Sequence, residues 1–193
     1  MSRRAAAAVA ALAIGGGWLL FVALPRWYGS RAPDATPRPA PAAVAERKIT
    51  ATLYFISEDG LSLVGVQREV PFGEPVAEQA RRILEAQLGQ APQPLSSAIP
   101  DSTTLKALFL SDKGDAYVDL SADARLRHTG GALDELFTIY AIVNALTVNL
   151  PAISRVQILV EGKEVDTLAG HVDLRHPLQK NLKWVKPEDK DGS

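Results

Sequence analysis

The sequence predicts an α+β two-layer sandwich, with two helices packed on one face of a mixed, mainly antiparallel sheet. Three observations carry this. Residues 75–88 and 132–149 repeat apolar side chains at helical spacing on one stripe each, which implies one-sided helices that need a layer to pack on. Several short segments around them alternate or are rich in β-branched and aromatic residues, as strands are. The pair Lys113-Gly114 stands between two such segments, where a tight reversal of antiparallel strands belongs. A chain of 193 residues holds one ordinary domain with extensions rather than two full domains.

Taken in order, "ITATLYFIS" from Ile49 forms a first strand, and "LSLVGVQREV" from Leu61 a second, short and partly exposed. Pro75 opens the first helix, which places Val76, Ala80, Ile83, Leu84, Gln87 and Leu88 on one stripe and stops at Gly89. "TLKALFLS" and "AYVDLS" flank "DKGD" as a hairpin. The second helix spans Ala132–Asn149, with Leu133, Leu136, Phe137, Tyr140, Val143, Asn144, Thr147 and Leu150 on its buried face, and Pro151 ends it. "SRVQILVEG" alternates Val156, Ile158 and Val160 inward, and "EVDTLAGHVDL" continues as a short strand and return. The helix–strand halves share an order of elements but no residue pattern, so no internal repeat is expected.

The N-terminus reads as an address. After residues 1–4, "MSRR", comes an uncharged run of 20 residues, Ala5 to Leu24, the length a helix needs to cross a bilayer. Arg3 and Arg4 would hold the start in the cytoplasm, and Trp18, Trp27 and Tyr28 suit an interface. The expectation is a transmembrane anchor or signal-anchor at 5–24. A cleavable signal peptide competes with it, with Ser30-Arg31-Ala32 the nearest cleavage site. A buried soluble helix is disfavoured by Gly15-Gly16-Gly17, each of which costs about 1 kcal/mol in a water-soluble helix. Residues 25–47, with Pro33, Pro37, Pro39 and Pro41, form an extended linker reaching roughly 70 Å at ~3.1 Å per residue. The folded part is 49–185, and 186–193, "KPEDKDGS", is a charged tail expected to be disordered.

Charge and composition exclude several function classes. Residues 1–48 carry seven Lys/Arg against two Asp/Glu, and 49–185 carry twelve against seventeen, so the folded part is mildly acidic and lacks the basic footprint of a nucleic-acid binder. The chain has no cysteine, which removes disulfides, thiolate nucleophiles, Cys-ligated metals and a lipid-modified cysteine. No G-x-S-x-G, GxxxxGK or GxGxxG pattern occurs, and "DKGDAYVD" lacks calcium-loop spacing. His128, His171 and His176 are the only histidines. The last two are five apart, on opposite sides of an unbent strand, and read as exposed loop residues rather than as metal ligands. Asp112, Asp115, Asp119 and Asp123 read as turn and cap residues. No catalytic residue, metal or cofactor is expected.

Asn144 is the conspicuous polar residue. A buried amide left unpaired costs about 1–3 kcal/mol, so it needs a partner, and a backbone group of the neighbouring strand or of the loop after the first helix is the economical choice. A structural strut is the leading reading; contact with a partner chain is the alternative.

Several phrases together resemble a known family: the Ile99-Pro100 pair in "SAIPDSTTLKALFL", the strand "VDLS", the helix phrase "IVNALT" and the closing "GHVDL". In wording and order, from about Thr50 to Pro177, the chain is similar to the GerMN domain family of spore germination and sporulation proteins. The resemblance implies an extracytoplasmic domain without enzymatic activity, and a fold like the ring-building motifs of secretion systems. It assigns no role to Asn144. The chain departs from the best-known members, which have tandem domains on a lipid-modified cysteine, and looks like the single-domain versions found outside spore formers.

The expected function is that of a single-pass protein of the bacterial cytoplasmic membrane whose extracytoplasmic domain acts, without catalysis, as an interaction or assembly factor for envelope proteins. The edge of the second strand, with Leu61, Leu63, Val66 and Arg68, is the candidate surface, because an unpaired edge accepts another strand. A second copy of the chain is a further candidate partner. The alternatives are a binding module for a cell-wall polymer or lipid and, least favoured, an envelope hydrolase.

Overall fold

The structure of the protein, a computed structural model, describes residues 47–187. The expected anchor at 5–24, the linker up to residue 46 and the tail from residue 188 lie outside the described residues. Along the chain come β1 (Lys48–Ile56), β2 (Leu63–Pro71), α1 (Val76–Gln87), β3 (Leu105–Leu110), β4 (Asp115–Leu120), α2 (Asp123–Leu126), α3 (Ala132–Asn149), β5 (Arg155–Val160), β6 (Lys163–Glu164) and β7 (Leu178–Gln179). Among the described residues no helix is long and apolar enough to cross a membrane.

The α+β class holds, with helices packed on mixed, mainly antiparallel sheets. The strands divide, however, between two sheets. Among the described strands β1 and β2 form a sheet of their own, in a continuous antiparallel register from Lys48↔Pro71 to Ile56↔Leu63. The larger sheet has the order β3-β4-β5-β6, with β7 also on β5. β4 and β5 run parallel in it and are connected through α2 and α3, the long crossover that a parallel pair requires.

The helices explain the split. α1 is one-sided, as its spacing predicts: Ala80, Ile83 and Leu84 are buried, while Val76 at its start is exposed. α3 has the expected bounds but not the expected single face. Phe137, Ile139, Ala141, Ile142, Val143, Ala145 and Leu146 are all buried, because the helix packs against β1, α1 and β5 together. A helix buried round most of its circumference belongs in the middle of a core. Leu133, Leu136 and Tyr140, expected on its inner face, lie at the core's margin.

After β6 the expected strand and return at 164–174 is mostly irregular chain. From β7 the chain continues as a strap, residues 180–187, that leaves the larger sheet and reaches β2 through a parallel bridge between Leu63 and Val185.

The β3–β4 turn shows how tightly the parallel pair is tied. Gly114 has φ +80°, and its N–H donates to the Ser111 carbonyl at 3.0 Å, while its own carbonyl accepts from Ser154 N–H at 2.9 Å, just ahead of β5. A Cβ at this position would lie 2.9 Å from the Ala152 carbonyl oxygen, whereas one at Gly60, with φ +73° in the β1–β2 turn, would meet nothing. Gly114→Ala is therefore expected to cost about 2–3 kcal/mol, the left-handed strain plus the contact, and Gly60→Ala only about 1 kcal/mol, read from paired urea unfolding curves.

Candidate functional site

β1 is bordered on one side by β2 and on the other by side chains that imitate a strand. Tyr54 N–H donates to Gln87 Oε1 at 2.8 Å, and Gln87 Nε2 donates to the Tyr54 carbonyl at 2.7 Å. Two residues earlier, Thr52 N–H donates to Asn149 Oδ1 at 2.8 Å, and Asn149 Nδ2 returns the bond to the Thr52 carbonyl at 2.8 Å. Ile56 exchanges both bonds with the Ser96 backbone. A primary amide carries one acceptor and two donors in nearly the geometry of a peptide group, so it can stand in for the missing neighbour. Gln87 ends α1 and Asn149 ends α3, so both helices are fixed to the same strand by their last residues.

Asn144 uses the same device. Its Nδ2 donates to the Asn181 carbonyl at 2.8 Å, and its Oδ1 accepts from Asn181 N–H at 3.0 Å. Its partner is backbone, but of the strap, not of a neighbouring strand or the loop after α1. The strap then continues to β2, where Leu63 N–H donates to the Trp184 carbonyl and Lys186 N–H to the Leu63 carbonyl, both at 2.7 Å.

These bonds also fix which backbone groups of β2 face outward. Directly opposed residues of an antiparallel pair point their polar groups both toward each other or both away. Thr52, Tyr54 and Ile56 point away from β2, so their partners Gln67, Gly65 and Leu63 point away from β1, and Glu69 follows from the same alternation. Leu63 is buried, and the strap takes its outward groups. Val66 and Arg68 face β1 with their backbones; Arg68 turns its guanidinium to the Gln90 carbonyl at 2.9 Å and lies 5.1 Å from the Phe55 ring centre. Leu61 is exposed in the turn ahead of β2. Of the surface expected from sequence, the open edge is thus Gly65, Gln67 and Glu69, whose outward N–H and C=O groups have no partner among the described residues. Beside it lies a mostly apolar groove of about 440 Å³ between Thr52, Tyr54 and Gly65 on one wall and Leu182, Val185 and Pro187 on the other.

Several titratable groups are committed within the fold. A cleft of about 460 Å³ holds His128, Asp101, Asp134 and Arg127. His128 Nδ1 accepts from Gly130 N–H at 3.1 Å, which places the ring proton on Nε2, 3.3 Å from the Thr138 hydroxyl; that hydroxyl donates to the Ala98 carbonyl at 2.5 Å. Both imidazole nitrogens are therefore used within the fold. Asp115 pairs with Arg155 at 2.6 Å, Asp119 accepts from Gly162 N–H at 2.7 Å, and Asp123 pairs with Arg127 at 3.2 Å. Among the described residues no group of three or more His, Asp or Glu could hold a metal ion.

Sequence reasoning passed over Glu135. Its carboxylate is buried in the first turn of α3 and accepts from the backbone N–H groups of Leu168, Ala169 and His171 at 2.7–2.8 Å, with His171 Nδ1 3.1 Å away. It organises the irregular chain after β6. Burial alone pushes its carboxyl up, but three backbone donors and His171 outweigh that and hold it below the ordinary value. Gln87 carried a sequence signal, a polar residue on an apolar stripe like Asn144; Asn149, at the end of its helix before Pro151, carried none.

The pattern of the Germane family, described as "Sporulation and spore germination", matches residues 52–166. The chain belongs to the Germane family. The matched residues run from Thr52 in β1 through β6 and take in both long helices, while β7 and the strap lie beyond them. Among solved structures, the tandem GerMN domains of the sporulation protein GerM from Bacillus subtilis match with a TM-score of 0.52 and 20% identity, over 70% of this chain and 46% of that one. The first GerMN domain of the same protein matches with a TM-score of 0.50 and 20% identity, over 69% and 96%. A candidate lipoprotein from Clostridium perfringens matches with a TM-score of 0.49 and 24% identity, over 69% and 88%. At these identities the likeness concerns the fold of the GerMN domain. No curated protein matches the chain.

Two predictions concern the polar struts of this GerMN domain. Gln87→Leu leaves the buried Tyr54 N–H and carbonyl without partners and is expected to cost about 2–4 kcal/mol in urea unfolding, more than Gln79→Leu, because Gln79 serves only the turn at Pro71 and Gly73. Glu135 makes stability pH-dependent. Its folded pKa lies below the ordinary 4.5, so its contribution is complete above that value and is lost as pH falls through the lower folded pKa. Glu135→Gln is expected to remove this acid dependence and to lower neutral-pH stability by about 2–3 kcal/mol, measured by thermal unfolding from pH 7 to pH 3.

Proposed function

We propose that this Germane-family chain is a membrane-anchored envelope protein whose GerMN domain binds other proteins and performs no chemistry of its own. The observation that carries this reading is the open edge of β2: a row of outward backbone groups beside an apolar groove, in a domain whose buried carboxylates and amides are spent on internal hydrogen bonds. The uncharged run Ala5–Leu24 and the Pro-rich segment after it support an anchor and a tether, with the domain on the extracytoplasmic side. Tethering raises the local concentration of a domain near membrane partners without any new contact, which suits an assembly factor.

A second reading, recognition of a cell-wall glycan, draws on one feature. Phe109 is exposed on β3 and stands opposite Tyr117 of β4, giving an aromatic pair on the surface of the larger sheet. Photo-crosslinking residues placed at Gln67 and at Phe109 of the full-length chain in living cells separate the two readings. Discrete protein adducts at either position are expected. A complete absence of protein adducts, together with co-sedimentation with purified cell-wall sacculi, would replace the first reading with the second.

A further inference from the structure

We infer that the outer edge of β2 from Gly65 to Glu69 is a strand-addition site that takes an extended polypeptide segment and lodges one of its apolar side chains in the groove beneath the strap. The inference rests on the proposal that the domain binds proteins, and it names the chemistry of what is bound. The unpaired groups themselves select the ligand class. Gly65, Gln67 and Glu69 each present an N–H and a C=O along one line, at the two-residue repeat that only another extended backbone can match.

The chain already demonstrates the mode at the same edge. Leu63 is the next residue in this outward series, and its N–H and carbonyl are satisfied by the Trp184 carbonyl and the Lys186 N–H, a parallel bridge made by the strap. Pro187 follows, and no bond links the strap to Gly65. Among the described residues the edge is thus filled at one residue and open at the next three, so an added strand would extend a ladder that exists.

The groove supplies selectivity. Gly65 leaves its floor low: a Cβ there would lie 3.1 Å from Thr52 Cγ2 and 3.6 Å from Tyr54 Cε1. Leu182, Val185 and Pro187 of the strap make the opposite wall, and Leu182 is exposed although nothing in the fold requires an apolar side chain at the surface there. The edge carries little to repel a strand. Gln67 is neutral, and Glu69 is paired with Lys48 at 3.0 Å. In a natural sheet, an edge not meant for pairing carries an unpaired charge, a proline or a bulge; the register of β1 and β2 shows no bulge, and the one proline of β2, Pro71, ends the strand beyond the three open residues.

The test is selection of a displayed random heptapeptide library on the full-length chain held in detergent micelles, followed by hydrogen exchange of the complex. Selected peptides are expected to lack central prolines, to alternate apolar with polar residues, and to slow exchange at the amides of Gly65, Gln67 and Glu69. Gln67→Pro removes one outward donor at an edge position where proline is tolerated, and is expected to weaken binding about tenfold while the protection of Tyr54 by Gln87 persists. Should Gln67→Pro fail to fold, Leu182→Asp tests the same site from the strap without touching β2, with a similar loss expected. Protection that appears at the β3 edge or elsewhere would overturn the assignment of the site while leaving protein binding intact. Failure of any peptide to be selected, with crosslinked protein adducts still found at Phe109 in cells, would likewise overturn it. Absence of both peptides and adducts would remove the underlying reading as well.

Discussion

The domain depends on primary amides doing the work of peptide groups. β1 has a real strand on one side only; on the other, Gln87 and Asn149 complete its hydrogen bonding from the ends of two different helices. The arrangement holds a two-stranded sheet, marginal by itself, against the helical layer. It also removes one of two edges that would otherwise lie open. Asn144 repeats the device for the strap, so three primary amides tie the two long helices to the extended chain around them. Each is an uncharged group, which avoids the desolvation cost a buried ion would bring.

Glu135 is the exception, and its surroundings show what such a cost requires. A buried carboxylate needs donors for both oxygens, and three backbone N–H groups within four residues of irregular chain provide them. The segment after β6, "EVDTLAGHVDL", reads in the sequence as a short strand and return. Its backbone amides are instead drawn toward a single anion, and curvature around that point precludes a regular ladder.

Much of the fold was legible because it is local. The limits of α3, the stripe on α1 and the glycine at the β3–β4 reversal follow from spacing and from one dipeptide. Division into two sheets was not legible, since alternation identifies a strand but says nothing of its neighbour. The partner of Asn144 lay 37 residues away in a segment with no periodicity. Of the edge residues expected from sequence, Leu63 is turned outward and taken by the strap, whereas Val66 and Arg68 have the opposite parity. Val66 and Arg68 have their backbones turned inward, and only the register with β1, fixed by Gln87 and Asn149, reveals that Gly65, Gln67 and Glu69 are the residues turned outward.

The separation between Thr52 and Asn149 has a consequence for biogenesis. A ribosome delivers residue 52 almost a hundred residues ahead of the amide that completes it, the bond spanning 97 positions. Until that amide arrives, the nascent N-terminal hairpin exposes an incomplete border on either flank and is open to adhesion with its neighbours. Native closure is thus a late event in synthesis, and conditions that slow elongation between these positions lengthen the interval in which a chaperone has something to hold.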